Sequence, residues 1–155
     1  MGGDHSEASD KKFEYVERLR RYAGHFLEKY MQSLGISGNP TFVNWNGEEE
    51  SIVTIGDVEK GRFVLKGLHE FKVNDRFELS MIVKTVIKTD AMQSPWITIP
   101  VDIREDGGIV VFEIGDGDDA ARCLIPAGNT LDVYSEAADL MKAIIIKMIR
   151  RTAPQ

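Results

Sequence analysis

Between Phe13 and Leu34 the apolar residues recur at steps of three and four: Phe13, Val16, Leu19, Ala23, Phe26, Leu27, Tyr30, Met31 and Leu34. That spacing is the buried stripe of an amphipathic helix. Ser9 or Asp10 can cap its start, and Gly35 can end it in the left-handed conformation. Glu14–Arg18 and Glu17–Arg21 stand four apart in the favourable order on the wet face. Residues 1–9 lack the pattern and are expected to be a disordered lead-in to one domain over residues 10–152.

After "GISGNP" the helical period stops. Short runs follow: "TFVNW", "SIVTIG", "GRFVLKG", "RFELSMIVKTVIKT", "WITIPVDIR", "GIVVFEIG" and "ARCLIP". Turn-forming groups such as "NGEE", "VEKG", "REDGG" and "GDGDD" separate them, which predicts an antiparallel meander. In "WITIPVDIR", Ile97, Ile99, Val101 and Ile103 alternate with Thr98, Pro100, Asp102 and Arg104, giving one wet face. Pro100 cannot donate a ladder hydrogen bond, so this strand is expected near a sheet edge. Ile109 to Phe112 is apolar without alternation, which suits a central strand covered on both sides. Residues 74–89 fit either a strand or a helix; their Val, Ile and Thr content favours a strand.

From about Thr130 to Arg151, Tyr134, Ala137, Ala138, Met141, Ile144, Ile145, Met148 and Ile149 fall within an arc of about 160° at 100° per residue. This is a second helix, with Ile146 projecting on its polar side. Lys147, Arg150 and Arg151 suit the negative end of its dipole. The expected fold class is therefore α+β: an antiparallel sheet of five to seven strands flanked by an N-terminal and a C-terminal helix.

Composition narrows the function classes. The 155 residues are 43% apolar and 28% charged, as in an ordinary globular domain. A net charge of −6 argues against a general nucleic-acid binder. The single cysteine, Cys123, cannot form an internal disulfide, which fits a reducing, cytoplasmic setting. No apolar run approaches the roughly 20 residues of a membrane-spanning helix. "MGGDHS" matches the N-myristoylation pattern at Gly2, but a polar, fraying tail is the simpler reading.

Local catalytic signatures are missing. There is no phosphate-binding Gly-x-x-x-x-Gly-Lys-Ser/Thr loop, and Ala120 stands where a Gly-x-Gly-x-x-Gly motif begun at Gly115 needs glycine. His5, His25 and His69 are scattered without metal-ligand spacing. Cys123 lies in the apolar run "CLI" and reads as a small buried hydrophobe. "EEE" at 48–50, "RED" at 104–106 and "GDGDD" all coincide with expected turns. An EF-hand register begun at Asp116 fails, because Ala120, Ala121 and Ala127 occupy its fifth, sixth and twelfth positions. Asp116, Asp118 and Asp119 are left as weak cation candidates, and no cofactor is implied.

"VVFEIGDGDDAARCLIPAGNTLDVYSEAADLMKAI" is similar to the end of roadblock-type dimerisation modules, and "FVNWNGEEESIVTIG" to their first hairpin; residues 74–89 depart from that pattern. The overall order is also similar to class I type III secretion chaperones, and a seven-strand reading to PH-like barrels. These resemblances imply a protein-holding scaffold. The expectation is a non-enzymatic interaction module, an adaptor, chaperone-like or regulatory subunit. It would form a homodimer through the C-terminal helix or a sheet edge. Met141, Ile145, Ile146 and Ile149 are the candidate contacts, with Trp45 and Trp96 as aromatic anchors. The alternative is a small-ligand domain with an apolar pocket between sheet and helices; an enzyme with a dispersed site comes third.

Overall fold

The long amphipathic stripe forms helix α1, Gly3–Ser33, in a computed structural model that describes residues 3–35, 41–43, 46–87, 95–126 and 131–152. Its backbone is already helical at Gly3, ahead of the Asp10 start read from the periodicity. "SEASD" holds no helix breaker, so nothing in it stops the helix propagating toward Gly3. The far end closes as expected: Gly35 takes φ +77° and donates its N–H to the Gln32 carbonyl.

Two strands, β1 (Thr41–Val43) and β2 (Glu49–Ser51), form a small antiparallel hairpin. The main sheet contains β3 (Val53–Glu59), β4 (Arg62–Leu65), β5 (Leu79–Val86), β6 (Trp96–Asp106), β7 (Ile109–Ile114) and β8 (Ala121–Pro126). Its order is β4-β3-β5-β6-β7-β8, antiparallel throughout. The chain ends with a short 3-10 turn, Leu131–Tyr134, and helix α2, Ser135–Thr152. The α+β class and the meander expected from the pattern are both present.

The ambiguous segment is strand over Leu79–Val86, where Leu79, Met81, Val83 and Thr85 point into the core. Residues 88 and 89 lie outside the described residues. The strand holding Pro100 is not near an edge: β6 is the longest strand and pairs on both sides. Pro100 is accommodated because its register position falls where β7 has ended. Its carbonyl accepts from the N–H of Gly115, which has φ +87°. In an antiparallel ladder a residue's N–H and carbonyl face the same neighbour, so the absent donor would have pointed past the end of β7. β7 is an interior strand, with Val110, Phe112 and Ile114 inward and Val111 buried on the opposite side. Ile109 at its start is exposed, so the double cover expected for residues 109–112 is incomplete.

Both helices pack on one face of the sheet. Leu19, Phe26 and Tyr30 of α1 and Ala137, Met141 and Ile144 of α2 share a core with Met81, Ile99, Val101, Phe112, Ile114 and Ile125. Phe112 lies at its centre, 5.2 Å from the Phe26 ring and 5.9 Å from the Tyr134 ring. The edges β4 and β8 are not paired with each other, so the sheet stays open and does not close as a PH-like barrel would. β5 stands where the roadblock pattern has a helix.

Candidate functional site

Strand alternation sends every second side chain away from the helices, and the residues of that second face are not part of the core packed beneath them. Across β5 and β6 the outward rows are Val86–Trp96, Lys84–Thr98, Ile82–Pro100 and Ser80–Asp102. β7 and β8 extend the face with Asp102–Glu113–Arg122 and Arg104–Val111–Leu124. β3 and β4 add Val58, Phe63 and Leu65 at the other side. Five large hydrophobics are exposed here: Val58, Leu65, Trp96 (52% exposed), Ile109 and Leu124 (56%).

The face has two chemically distinct ends. At one, the Lys84 ammonium lies 4.9 Å from the Trp96 ring centre and 5.7 Å from that of Phe63. Both distances are within cation–π range. Phe63 in turn covers Gly56, where an added Cβ would lie 2.9 Å from the ring and 2.0 Å from the Val64 carbonyl oxygen. Glycine is required there because ring and backbone occupy the space. At the other end, carboxylate oxygens of Glu78, Asp102 and Glu113 all lie within 4.8 Å of one another. Glu113 accepts from Arg104 at 3.0 Å and from Arg122 at 2.9 Å. The Arg104 hydrogen bond, helped by that from Arg122, holds the Glu113 carboxyl below its usual range against the opposing cost of burial. Arg104 also stands 3.7 Å from Glu78. Asp102 has no ion pair among the described residues. Three carboxylates thus crowd beside two guanidiniums that pair with Glu78 and Glu113.

The acidic loop "GDGDD" forms the β7–β8 hairpin connection, as expected, with Gly115 and Gly117 at positive φ. Asp116 and Asp118 are exposed at its tip, and Asp119 accepts from both terminal nitrogens of Arg151. The loop therefore tethers the end of α2. The carboxylate cluster of this protein lies instead at Glu78, Asp102 and Glu113, which local spacing could not reveal. Laying out the β6–β7 hairpin would have found part of it, since centring it on Gly107–Gly108 aligns Asp102 with Glu113.

The "RED" carboxylates are not all turn acids. Glu105 is on β6, where Arg18 donates two bonds at 3.0 and 2.9 Å and Tyr22 donates its hydroxyl at 2.6 Å. The Arg18 bonds hold Glu105 below the usual carboxylate range despite partial burial, while burial and the bond to Glu105 push the Tyr22 hydroxyl up to about 12. This group ties α1 to the sheet. Cys123 is buried, with its thiol pushed up to about 11 by burial, which disfavours the reactive thiolate. His25 is half-buried against the Tyr134 ring at 5.6 Å rather than on a wet face, because the 3-10 turn before α2 brings Tyr134 onto α1. The His25 Nδ1 and the Tyr134 hydroxyl are buried and find no hydrogen-bond partner among the described residues.

The candidate contacts on α2 separate. Met141 (0% exposed) and Ile145 are occupied in the core, whereas Ile146 (46%) and Ile149 (36%) reach solvent. Together with Tyr30, Leu34, Thr85, Ile87 and Lys142, these isoleucines line an apolar groove of about 380 Å³ between the end of α1, the end of β5 and α2. The Lys142 ammonium at its rim donates to the Ser33 carbonyl at 3.1 Å. Trp96 lies on the open sheet face, away from α2; Trp45 and Gly2 lie outside the described residues. No helix among the described residues is long and apolar enough to cross a membrane. No family model, curated protein or solved structure matches the chain.

Proposed function

We propose that the protein is a non-enzymatic interaction module, serving as an adaptor, chaperone-like or regulatory subunit, and that it works by burying the open face of its sheet against a protein partner. The observation that carries this reading is the placement of Val58, Leu65, Trp96, Ile109 and Leu124, all exposed, on one face of a six-stranded sheet. The five share that face with charged residues, and exposed apolar surface bordered by polar groups marks interaction sites. The contact surface is thus on the sheet rather than on α2, whose apolar arc is largely consumed by its own core.

The test is site-specific photo-crosslinking in the source cells. A photoreactive residue replacing Leu124 is expected to give a covalent protein adduct, whether with the same chain or another. The same group at the exposed Glu28 of α1 is expected to give none. Equal labelling at both positions, or none at 124, overturns the reading.

The apolar groove supports a second reading, a small-ligand domain, because its volume falls within the size range of ligand pockets. An apolar molecule retained through purification and seen by native mass spectrometry, then lost in Ile146→Asp, is the expected result for that alternative.

A further inference from the structure

We propose that the partner on the open sheet face is a second copy of this chain, stacked face to face about a two-fold axis that crosses the strands near the Ile82–Pro100 row. The inference rests on the interaction-module reading above and names its partner.

The argument begins with the register of β6. Its outward-facing residues are Trp96, Thr98, Pro100, Asp102, Arg104 and Asp106, with Thr98 and Asp102 two residues from Pro100 on either side and Trp96 and Arg104 four away. A two-fold axis through the Pro100 row superposes Thr98 on Asp102 and Trp96 on Arg104, with Asp106 beyond the overlap. Trp96 of one copy then faces Arg104 of the other, a pairing in which a guanidinium can lie over an indole ring. The Lys84 row falls on the Ser80–Asp102 row of the second copy. The cationic, aromatic end of each face therefore meets the acidic end of the other.

This pairing meets a need that the single chain leaves open. Among the described residues, Glu78, Asp102 and Glu113 crowd together with only Arg104 and Arg122 in ion-pair contact, and Asp102 is the member with none. Lys84 carries the complementary charge, and no carboxylate among the described residues pairs with it; its neighbours are the rings of Phe63 and Trp96. Each copy supplies the cation that the other's cluster lacks. Stacked sheets lie about 10 Å apart, a gap that a lysine and an aspartate pointing toward each other can bridge.

β3, β5 and β6 carry outward residues on both sides of this axis, whereas those of β7 and β8 lie on one side of it, so the overlap falls on β3, β5 and β6. The centre of the overlap is apolar, formed by Ile82 and Pro100, and the charges surround it.

Charge reversal tests the proposal directly. Lys84→Asp places a carboxylate opposite Asp102, and Asp102→Lys places an ammonium opposite Lys84. Wild type is expected to run at twice the monomer mass in size-exclusion chromatography with light scattering. Each variant is expected to run as a monomer, at least tenfold weaker in self-association. An equimolar mixture of the two is expected to return to the dimer mass, because in the mixed pair both contacts become opposite in charge. Thermal melting of each variant reports folding, and Lys84→Gln replaces Lys84→Asp if the latter does not fold; it too is expected to weaken the dimer. Three results would each overturn the proposal. One is a wild type that stays monomeric up to its solubility limit, another is a pair of single variants as dimeric as wild type. The third is a rise in wild-type melting temperature with calcium or magnesium chloride that Asp102→Lys abolishes, which would assign Asp102 to a cation. A monomeric wild type that still forms adducts through position 124 with a different protein would leave the interaction-module reading standing and remove only the second copy.

Discussion

The two faces of the sheet are built from the same six strands and differ in what their alternate residues do. On the inner face, Leu79, Met81, Ile99, Val101, Ile103, Phe112 and Ile114 are almost completely buried beneath two helices. On the outer face, apolar residues are interleaved with Lys84, Asp102, Arg104, Glu113 and Arg122, and several large ones remain in solvent. A face evolved only to be wet has little use for Trp96 and Leu124. A face evolved only as a core would not hold five charged side chains. A polar-rimmed, partly apolar surface of this kind fits reversible contact with another macromolecule, and the inner face supplies the stability that lets it remain uncovered.

That contrast can be broken most strongly from the inside. Phe112→Ala removes the ring at the centre of the aromatic cluster and is expected to cost about 3–5 kcal/mol in urea unfolding. Gly56→Val is expected to cost about 1–3 kcal/mol, since its side chain must displace the Val64 backbone and the Phe63 ring, the overpacking penalty. It should also free Lys84 from Phe63, so its effect registers on the outer face as well.

Glu105→Gln acts at the junction between α1 and the sheet. Charge-assisted hydrogen bonds contribute about 1.5–3 kcal/mol, but Arg18 is well exposed, and the expected loss is nearer 1 kcal/mol. The sign of the pH dependence follows from the lowered carboxyl. Glu105 and Glu113 contribute stability that is present above about pH 4.3, the unfolded value, and is lost as pH falls through their depressed folded values. Glu105→Gln should therefore flatten the acid limb of a stability–pH curve measured by urea titration. On the alkaline side, Tyr22 and Tyr30 have hydroxyls raised to about 12. Their contribution is present below about pH 10 and lost as pH rises through 12, which Glu105→Gln should shift only through Tyr22.

The smallest expected effect belongs to the open face. Leu124→Ser is expected to change the stability of the dilute monomer by less than about 0.5 kcal/mol, as exposed substitutions do. A loss as large as that of Phe112→Ala would mean that the outer face is a second core, and the contrast between the faces would fail.

Much of the architecture was legible in the chain because helix and strand periods depend on neighbours a few residues away. The Phe13–Leu34 stripe, the arc of α2, the "GDGDD" hairpin and the strand at residues 79–86 all carry that local signal. The position of β6 was not legible, because the fitness of Pro100 depends on where a different strand, β7, ends. Nor was the carboxylate cluster. Glu78 lies just before β5, Asp102 on β6 and Glu113 on β7, and the last two meet only once the hairpin register is fixed. The same holds for Glu105, whose partners Arg18 and Tyr22 are more than eighty residues away in sequence.

The sequence by itself determined the α+β class, the antiparallel meander and most of the inward residues of each helix, because periodicity and turn chemistry act locally. Phe13 and Ile149, read into the apolar stripes, are exposed. Only the tertiary structure decided which surface is left over. An apolar residue reads the same in sequence whether it enters a core or faces solvent. Ile144 and Ile149 within one helical arc, or Val111 and Leu124 on one sheet face, are distinguished by what packs against them. Both helices settle on one face of the sheet, so Val58, Leu65, Trp96, Ile109 and Leu124 are left exposed on the other.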